Sequence, residues 1–292
     1  MHAHPDDESS KGAASTAYYV SRGARVMVVS CTGGEAGDIL NPRMDTPENL
    51  ARMHELRREE MARAAEILGI EHVWLGYRDS GFPDGPDWKP TSPDAFALAD
   101  VDEAAGRLAK VIREFRPQVL TTYDERGGYP HPDHIMTHTV AMAAVEAAAD
   151  ASLWPEHGEA WQVSKVYYQM GFHRGRYAAL DEAMHANGLE RPYAHRLAEW
   201  SEEADARMRP TTFVPASEFF ETRNRALLAH ATQIDPDGFW FAVPLEIEKK
   251  GWPTEDFQLA RSTVPVTLPE DDLFAGVRGG EGGKVGPWLY TT

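Results

Sequence analysis

The chain has 292 residues, of which 46 are acidic and 29 are basic, so its net charge is −17. This acidity argues against nucleic acid as the main partner, because phosphate binding depends on clustered lysine and arginine. No apolar run approaches the roughly 18 residues of a membrane helix, and no charged-then-apolar segment suggests a signal peptide.

The first half of the sequence alternates between helical and strand periods. Residues 24–32 form a continuous apolar run, which is typical of a strand buried on both faces. The single cysteine, Cys31, lies in this run, so we expect a core residue in a cytoplasmic protein without disulfides. In chain order, the patterns predict a helix over 9–22, strands over 24–32 and 73–77, helices over 48–68 and 102–115, a strand over 118–123, a helix over 133–149 and a strand over 164–170.

The second half is less regular. Its patterns predict helices over 175–187 and 218–232 and a short strand over 211–215. From about 234 the sequence is rich in Pro, Gly and aromatic residues, which predicts loops and short strands. We therefore expect one α/β domain with a doubly wound, Rossmann-like, mostly parallel sheet covered by helices on both faces. Residues 1–172 would form the core, and 173–292 an irregular extension packed on it.

Two short motifs fall in predicted strand-to-helix turns. Residues 4–8 (HPDDE) follow the expected first strand, and residues 131–134 (HPDH) open the helix after the fourth. In an open α/β sheet the ligand crevice lies at the carboxyl ends of the strands, where the strand order reverses. If the strand order is 3-2-1-4-5, the two motifs face each other across one cleft. One such motif alone could be a plain turn, but the pair indicates a metal site.

The residue types suit zinc, and there are more of them than a structural site needs. A catalytic zinc usually has three protein ligands and an open position. Here His4, Asp7 and His134 can be the ligands, which leaves Asp6 free as a general base and His131 as an electrophile or general acid. This surplus favours a hydrolytic centre.

Three nearby residues are expected to have other roles. Asp133 would orient a histidine through its second ring nitrogen. His138, one helical turn beyond the second motif, is expected on a helix face. His2 would lie on the opposite face of the first strand and is not expected to bind metal.

At these motifs the chain resembles the LmbE-like (PIG-L) deacetylase family. The resemblance is carried by AHPDDE and HPDH, and it extends over most of the chain. The stretches that are most similar to the amidase branch of the family are HAHPDDESSKGAA, TGGEAGDILNP, LRREEM, YRDSG, TYDERGGYPHPDH and LLAHATQIDPDGFWF.

The resemblance implies one zinc ion per chain, with iron(II) as an alternative. It assigns the metal to His4, Asp7 and His134 and the general base to Asp6. It also implies that His131 helps to stabilise the transition state.

The resemblance assigns further roles around this centre. Asp133 would tune the histidine of HPDH, and a tyrosine two residues before that histidine, Tyr129, would assist it. Substrate contacts would come from an arginine of the long helix, Arg57 or alternatively Arg58, and from Asp79 of the RDSG turn.

One residue bears on the substrate. Lys11 resembles the Ser-Ser-Lys mark of the amidases, and its cation at the site entrance would meet a polar or anionic conjugate; the alternative is a solvated helix lysine. The implied reaction is hydrolysis of the amide between glucosaminyl-inositol and cysteine in a mycothiol S-conjugate, a small-molecule partner in detoxification or natural-product processing. The alternatives are an N-acetylglucosaminyl-inositol deacetylase and a non-catalytic metal-dependent sugar-binding protein.

The chain departs from the family pattern at its start. Family members carry several apolar residues before the first motif, whereas here the motif follows Met1-His2-Ala3. Either the natural start lies further upstream or the first strand is a stub.

Overall fold

The computed structural model describes residues 1–83, 85, 87–277 and 288–291. It contains a seven-stranded sheet in the order β2-β1-β7-β3-β4-β6-β5. The strands are β1 (Ala24–Thr32), β2 (Glu71–Tyr77), β3 (Val119–Thr122), β4 (Lys165–Gln169), β5 (Thr212–Val214), β6 (Glu255–Ser262) and β7 (Trp288–Thr291). The first four strands lie where the sequence predicts them, and their ends differ from the prediction by at most two residues.

Two segments of the chain share the central position of the sheet, between β1 and β3. β7 pairs in parallel with β1 on one side and with β3 on the other. Past the end of β7, the first residues of the chain continue the same path, with an isolated parallel bridge between His2 and Ser30 and a bond from the Met1 amino group to the Thr121 carbonyl (2.8 Å). These residues deliver the HPDDE motif to the carboxyl edge of the sheet.

Helices cover both faces of the sheet. The longer ones in the core are α2 (Ala13–Ser21), α4 (Met53–Leu68), α5 (Val101–Phe115) and α6 (Pro132–Ala149), and α1 (Asp7–Ser10) and α3 (Pro47–Ala51) are short. Along β1, Val28 packs against Met61 of α4, whereas Val29 packs on the opposite face with α5 and α6. The uninterrupted apolar run of β1 therefore follows from burial of both faces.

Two predicted helices are interrupted. The helix expected over 9–22 is divided at Lys11 and Gly12, because Gly12 adopts a left-handed conformation with φ of 87°. The helix expected over 48–68 is divided at Arg52 into α3 and α4. The first interruption turns the Lys11 side chain back towards the HPDDE motif.

The second half of the chain does more than pack on the core. It contributes α7 (Arg174–Ala186), α8 (Ala194–Ala198), α9 (Glu202–Arg207), α10 (Phe220–Ala229) and α11 (Leu245–Gly251). It also extends the sheet, because β6 pairs antiparallel with β4, and β5 with β6. Helices α8 and α9 lie between 188 and 210, for which the sequence analysis makes no prediction. Strand β6 falls in the region predicted as loops and short strands, and helix α11 in that region was not predicted. No helix among the described residues is long and apolar enough to cross a membrane.

A buried ion pair fastens the second half to the first motif. His230, after α10, donates from Nε2 to the Glu8 carboxylate at 2.7 Å, and both side chains are fully buried. Burial by itself raises the pKa of Glu8, but the charge and hydrogen bond of His230 lower it by more, to about 2. Glu8 also accepts from the Asp6 backbone N–H and the Ser9 hydroxyl, so it organises the turn of the motif.

We predict that His230→Ala lowers the free energy of unfolding by about 3–5 kcal/mol, because it leaves the Glu8 carboxylate buried without its partner. Chemical denaturation measures this change. The matched control is His195→Ala, which removes an exposed pair with Glu199 and should cost at most about 0.5 kcal/mol. Equal effects of the two substitutions would contradict the structural role of the Glu8–His230 pair.

Candidate metal centre

The two motifs converge at the carboxyl edge of the sheet. HPDDE follows the central path, and HPDH begins α6, where His131 caps the helix by accepting the Asp133 backbone N–H on Nδ1 (3.1 Å). The ring centroids of His4 and His131 are 4.6 Å apart, and those of His4 and His134 are 5.3 Å apart. The predicted cleft between the motifs is therefore present in the structure.

Two groups of described residues bring their ligand atoms within 4.8 Å of one another: His4, Asp7 and His134, and His4, His131 and Asp133. In the first group, Asp7 Oδ2 lies 3.5 Å from His4 Nδ1 and 3.4 Å from His134 Nε2. Two imidazole nitrogens and one carboxylate oxygen form a set that suits zinc or iron(II). The Asp133 carboxylate of the second group is fully buried and occupied by other donors, so the first group is the better candidate.

His134 is oriented by its other ring nitrogen. Nδ1 lies 2.9 Å from the Gly127 carbonyl, so it carries the proton and leaves Nε2 free to face Asp7. Tyr123 stacks on the ring at 4.2 Å between centroids. Glycine is required at position 127, because φ is 72° and a Cβ would come within 2.5 Å of the His134 Cβ.

His4 is oriented in the same way by carboxylates. Its Nε2 lies 3.2 Å from Asp133 Oδ2 and 3.6 Å from Asp79 Oδ1, which leaves Nδ1 to face Asp7. Burial lowers the pKa of His4, but the neighbouring Asp79 and Asp133 carboxylates raise it well above its ordinary value. Ser80 fixes Asp133 through its backbone N–H (2.9 Å) and its hydroxyl.

Asp6 lies beside the candidate ligands and belongs to neither group. Its φ is 107°, in the left-handed region that costs a residue other than glycine on the order of 1–3 kcal/mol. Arg57 donates to Asp6 Oδ2 (3.0 Å) and to the Pro5 carbonyl. Burial raises the pKa of Asp6. The Arg57 charge lowers it and the Asp7 charge raises it, and the net result is a raised pKa.

The structure distinguishes the two candidate arginines. Arg57 is only 2% exposed and holds Asp6, whereas Arg58 points outward, stacks over Trp74 and bonds His54. The predicted substrate contact of Arg57 thus competes with a contact inside the protein.

Asp79, the other predicted substrate contact, is also buried. It accepts the backbone N–H groups of Ala36 (3.2 Å) and Gly81 (2.9 Å) and faces His4. The Asp133 carboxylate contacts a histidine, as the residue types predict: it bonds His4 Nε2 and also accepts from Ser80. Its tuning of His131, which the resemblance implies, stays a prediction.

Lys11 is a buried cation directly against the candidate centre. Its Nζ lies 2.5 Å from Asp7 Oδ1, the oxygen that does not face the histidines, and 3.1 Å from Ser10 Oγ. The rings of Tyr123 and Phe172 each have their centroid 5.9 Å from Nζ. Burial lowers the pKa of Lys11, but Asp7 raises it by more, so the ammonium stays charged. The alternative of a solvated helix lysine is therefore wrong.

His131 and Tyr129 complete the arrangement. Burial, followed by the charges of His4 and His134, lowers the pKa of His131 to about 4. The ring is therefore neutral near pH 7, and because Nδ1 accepts a hydrogen bond, the proton lies on Nε2. The Tyr129 hydroxyl lies 3.4 Å from His134 Nε2, and burial raises its pKa, so it remains a donor.

The turn that carries Tyr129 is held by the second half of the chain. Asp124 accepts the Gly128 N–H (2.6 Å) and forms a partly buried ion pair with Arg207 of α9.

The sequence alone did not reveal this ion pair, nor the contacts of Glu8 and Ser80. Ser80 belongs to the RDSG stretch, so the motif indicated that this segment is functional but did not indicate that the Ser80 side chain takes part.

A cavity of about 420 Å³ opens onto the centre. Asp6, Asp7, Lys11 and Tyr129 line one end, and side chains from the second half of the chain line the other. His2 and His138 belong to neither candidate group: His2 contacts the Tyr123 hydroxyl, and His138 bonds the Tyr123 backbone carbonyl.

Comparison with known proteins leads to the same family as the two motifs. The family model described as PIG-L: GlcNAc-PI de-N-acetylase matches residues 1–145. The chain is 57% identical to mycothiol S-conjugate amidase of Streptomyces coelicolor, with 95% of this chain and 96% of the relative covered. It is 39% identical to 1D-myo-inositol 2-acetamido-2-deoxy-alpha-D-glucopyranoside deacetylase of Streptomyces avermitilis, with the same shares covered.

Among solved structures, the chain is similar to GalB, the 4-carboxy-2-hydroxymuconate hydratase of Pseudomonas putida KT2440. The TM-score is 0.59 at 19% identity, and 91% of this chain and 97% of that chain are covered. Similarity at this level shows the fold alone, since one fold hosts different reactions. The sequence relatives, which match almost the full length, show that the chain belongs to the PIG-L family.

Proposed function

We propose that the chain hydrolyses the amide that joins glucosaminyl-inositol to the cysteine of a mycothiol S-conjugate. Water is added across the C–N bond, so the products are glucosaminyl-inositol with a free amine and the carboxylate of an N-acetylcysteine S-conjugate. One observation carries the proposal: Asp6, a carboxylate outside the candidate metal ligands, stands next to them at the end of a 420 Å³ cavity. The 57% identity to the Streptomyces coelicolor amidase supports the choice of substrate.

His4, Asp7 and His134 would hold the metal. Zinc bound there would supply a Lewis acid for the scissile carbonyl and lower the pKa of water. The fit rests on the donor atoms. One ring nitrogen of each histidine is engaged by Asp133 or the Gly127 carbonyl, and the other faces Asp7. Iron(II) suits the same donors.

Asp6 serves as the general base. Its raised pKa makes it a stronger proton acceptor than an ordinary aspartate, while it remains able to return the proton to the leaving amine. Arg57 positions the carboxylate by bonding both Asp6 and the preceding carbonyl. The strained backbone at Asp6 is consistent with a catalytic position.

His131 and Tyr129 stabilise the negative charge that develops on the carbonyl oxygen. His131, neutral and protonated on Nε2, donates a hydrogen bond, and the Tyr129 hydroxyl supplies a second. Because its pKa is lowered to about 4, His131 is mostly neutral at pH 7 and rarely holds the extra proton that a general acid would give, so Asp6 is assigned the protonation of the amine.

The second candidate function is deacetylation of N-acetylglucosaminyl-inositol, which the 39% identical relative supports. The same groups would perform it. A sugar-binding protein without turnover would not need a carboxylate such as Asp6, which is held in a strained backbone conformation beside the candidate ligands. Parallel assays on S-conjugated mycothiol and on N-acetylglucosaminyl-inositol decide among the three.

The first prediction concerns the metal ligands. His4→Ala and His134→Ala should each lose the bound metal and the activity together, because two remaining ligands hold the ion poorly. Metal content by plasma emission spectrometry and amidase rate are measured on the same samples. His138→Ala, on the same helix as His134 but outside the cluster, is the control and should keep its metal. Stoichiometric metal in both ligand variants would refute the assignment.

The second prediction separates base from ligand. Asp6→Asn should keep the metal and lose kcat by roughly 10²- to 10⁴-fold, the usual range for general acid–base catalysis. Asp7→Asn should lose metal. Asparagine tolerates the left-handed backbone at position 6, so the substitution isolates the charge. If Asp6→Asn loses its metal while Asp7→Asn keeps it, the two roles are reversed.

The third prediction concerns Lys11. Because its ammonium contacts Asp7 and also lines the cavity, Lys11→Ala should lower kcat/KM for S-conjugates by about tenfold, equivalent to a charged hydrogen bond of about 1.5 kcal/mol. Any deacetylation of N-acetylglucosaminyl-inositol should fall less, since that substrate lacks the cysteinyl part. Equal losses on both substrates, together with lost metal, would show that Lys11 supports Asp7 alone.

A further inference from the structure

The cavity at the candidate centre has two chemically different ends. Near the centre it is polar and charged, with Asp6, Asp7 and Lys11. Farther from the centre the lining is mostly apolar and aromatic. Six side chains there are Leu40, Phe172, Trp200, Ile234, Phe239 and Trp240, and we call these six residues the aromatic wall; Arg196, Met208 and Gln233 also line the cavity.

The rings of the aromatic wall support one another. Trp240 lies 5.9 Å from Phe172 and 5.4 Å from Phe239 between centroids. The guanidinium of Arg196 stacks over Phe239 at 5.5 Å and is held by the Tyr177 hydroxyl at 2.8 Å. The apolar end is therefore preformed, which reduces the entropy cost of binding.

Parts of this wall are exposed although they are apolar. Leu40 is 63% exposed and Phe239 is 44% exposed. Exposed apolar side chains that adjoin a polar reaction centre mark a binding surface. A ligand that covers them would remove apolar area from water.

The position of the wall indicates which part of a substrate it meets. The polyhydroxylated glucosaminyl-inositol needs hydrogen-bonding partners, and the described side chains of the wall offer few. The acyl half ends in a thioether whose substituent has no fixed chemistry. Lys11, with Phe172 beneath its ammonium at 5.9 Å, separates the polar end from the wall and can meet the N-acetylcysteinyl part.

Building on the proposed function, we propose that the aromatic wall is the subsite for the S-linked substituent, and that it gives the enzyme a preference for apolar, ring-sized substituents. The cysteinyl part then lies beside Lys11, and the scissile carbonyl beside Asp6. The substituent makes the only contacts that differ from one conjugate to another.

The test compares the metal-loaded enzyme on the S-methyl, S-carbamoylmethyl and S-benzyl conjugates of mycothiol. The S-benzyl conjugate should exceed the other two in kcat/KM by roughly tenfold or more, since even one methylene in an apolar pocket is worth about tenfold. Trp240→Ala should remove most of this advantage, so that the ratio of kcat/KM for the S-benzyl conjugate to kcat/KM for the S-methyl conjugate falls towards one. Phe239→Ala should act in the same direction.

The matched control is Leu228→Ala. Leu228 is 45% exposed, like Phe239, but lies on α10 and does not line the cavity. It should leave all three rates unchanged. Calorimetric binding of N-acetyl-S-benzylcysteine, the expected product, gives a second measurement that does not depend on turnover, and Trp240→Ala should weaken it by a similar factor.

The possible failures are distinct. If the wild-type enzyme hydrolyses the three conjugates at equal kcat/KM, the subsite is overturned and the proposed function stands. If Trp240→Ala lowers all three rates equally, together with any turnover of N-acetylglucosaminyl-inositol, the wall contacts the sugar and the inference is wrong. If no conjugate is hydrolysed, the proposed function itself fails.

Discussion

The Asp7 carboxylate is the group around which the site is arranged. One oxygen faces both His4 and His134, and the other pairs with Lys11. The surrounding elements bring these groups together. The central path of the sheet positions residues 4–8, and β3 and α6 position residues 131–134. The chain changes direction at Gly12, next to Lys11. A buried carboxylate between two imidazoles and an ammonium carries little net charge in the absence of metal, so the site can be formed before the ion binds.

The neighbouring groups extend this arrangement outward. His4 depends on Asp133 and Asp79, and Asp133 depends on Ser80. The Gly127 carbonyl that orients His134 lies in a turn held by Asp124, which is itself paired with Arg207. Such outer contacts fix tautomer and ring orientation. The centre is therefore built by both halves of the chain, although both motifs lie within the first 134 residues.

The sequence was sufficient for those parts of the fold that have a local cause. β1 is recognised because both of its faces are buried, and α6 because proline and a histidine cap mark its start. The short strands predicted after about 234 have no predicted bounds, and the pairing of β6 with β4 is not recognised because the two strands are distant in sequence. The interruption at Gly12 depends on one left-handed residue that a helical pattern does not reveal.

The same limit applies to the site. The motifs identify which residues meet at the centre, because strand ends at one sheet edge are neighbours. They do not show which way a side chain turns once there. Arg57 and Asp79 remain predicted substrate contacts, and the structure shows in addition that they contact Asp6 and His4, which the sequence did not reveal. Competing partners of this kind lie outside any single motif.

The Glu8–His230 pair joins residues 222 positions apart in the chain. Synthesis proceeds from the N-terminus, so His230 emerges from the ribosome more than two hundred residues after Glu8. Until then the turn that presents Asp6 and Asp7 is without its buried partner. The ion pair that organises this turn can therefore form only after most of the sequence between the two residues has been made.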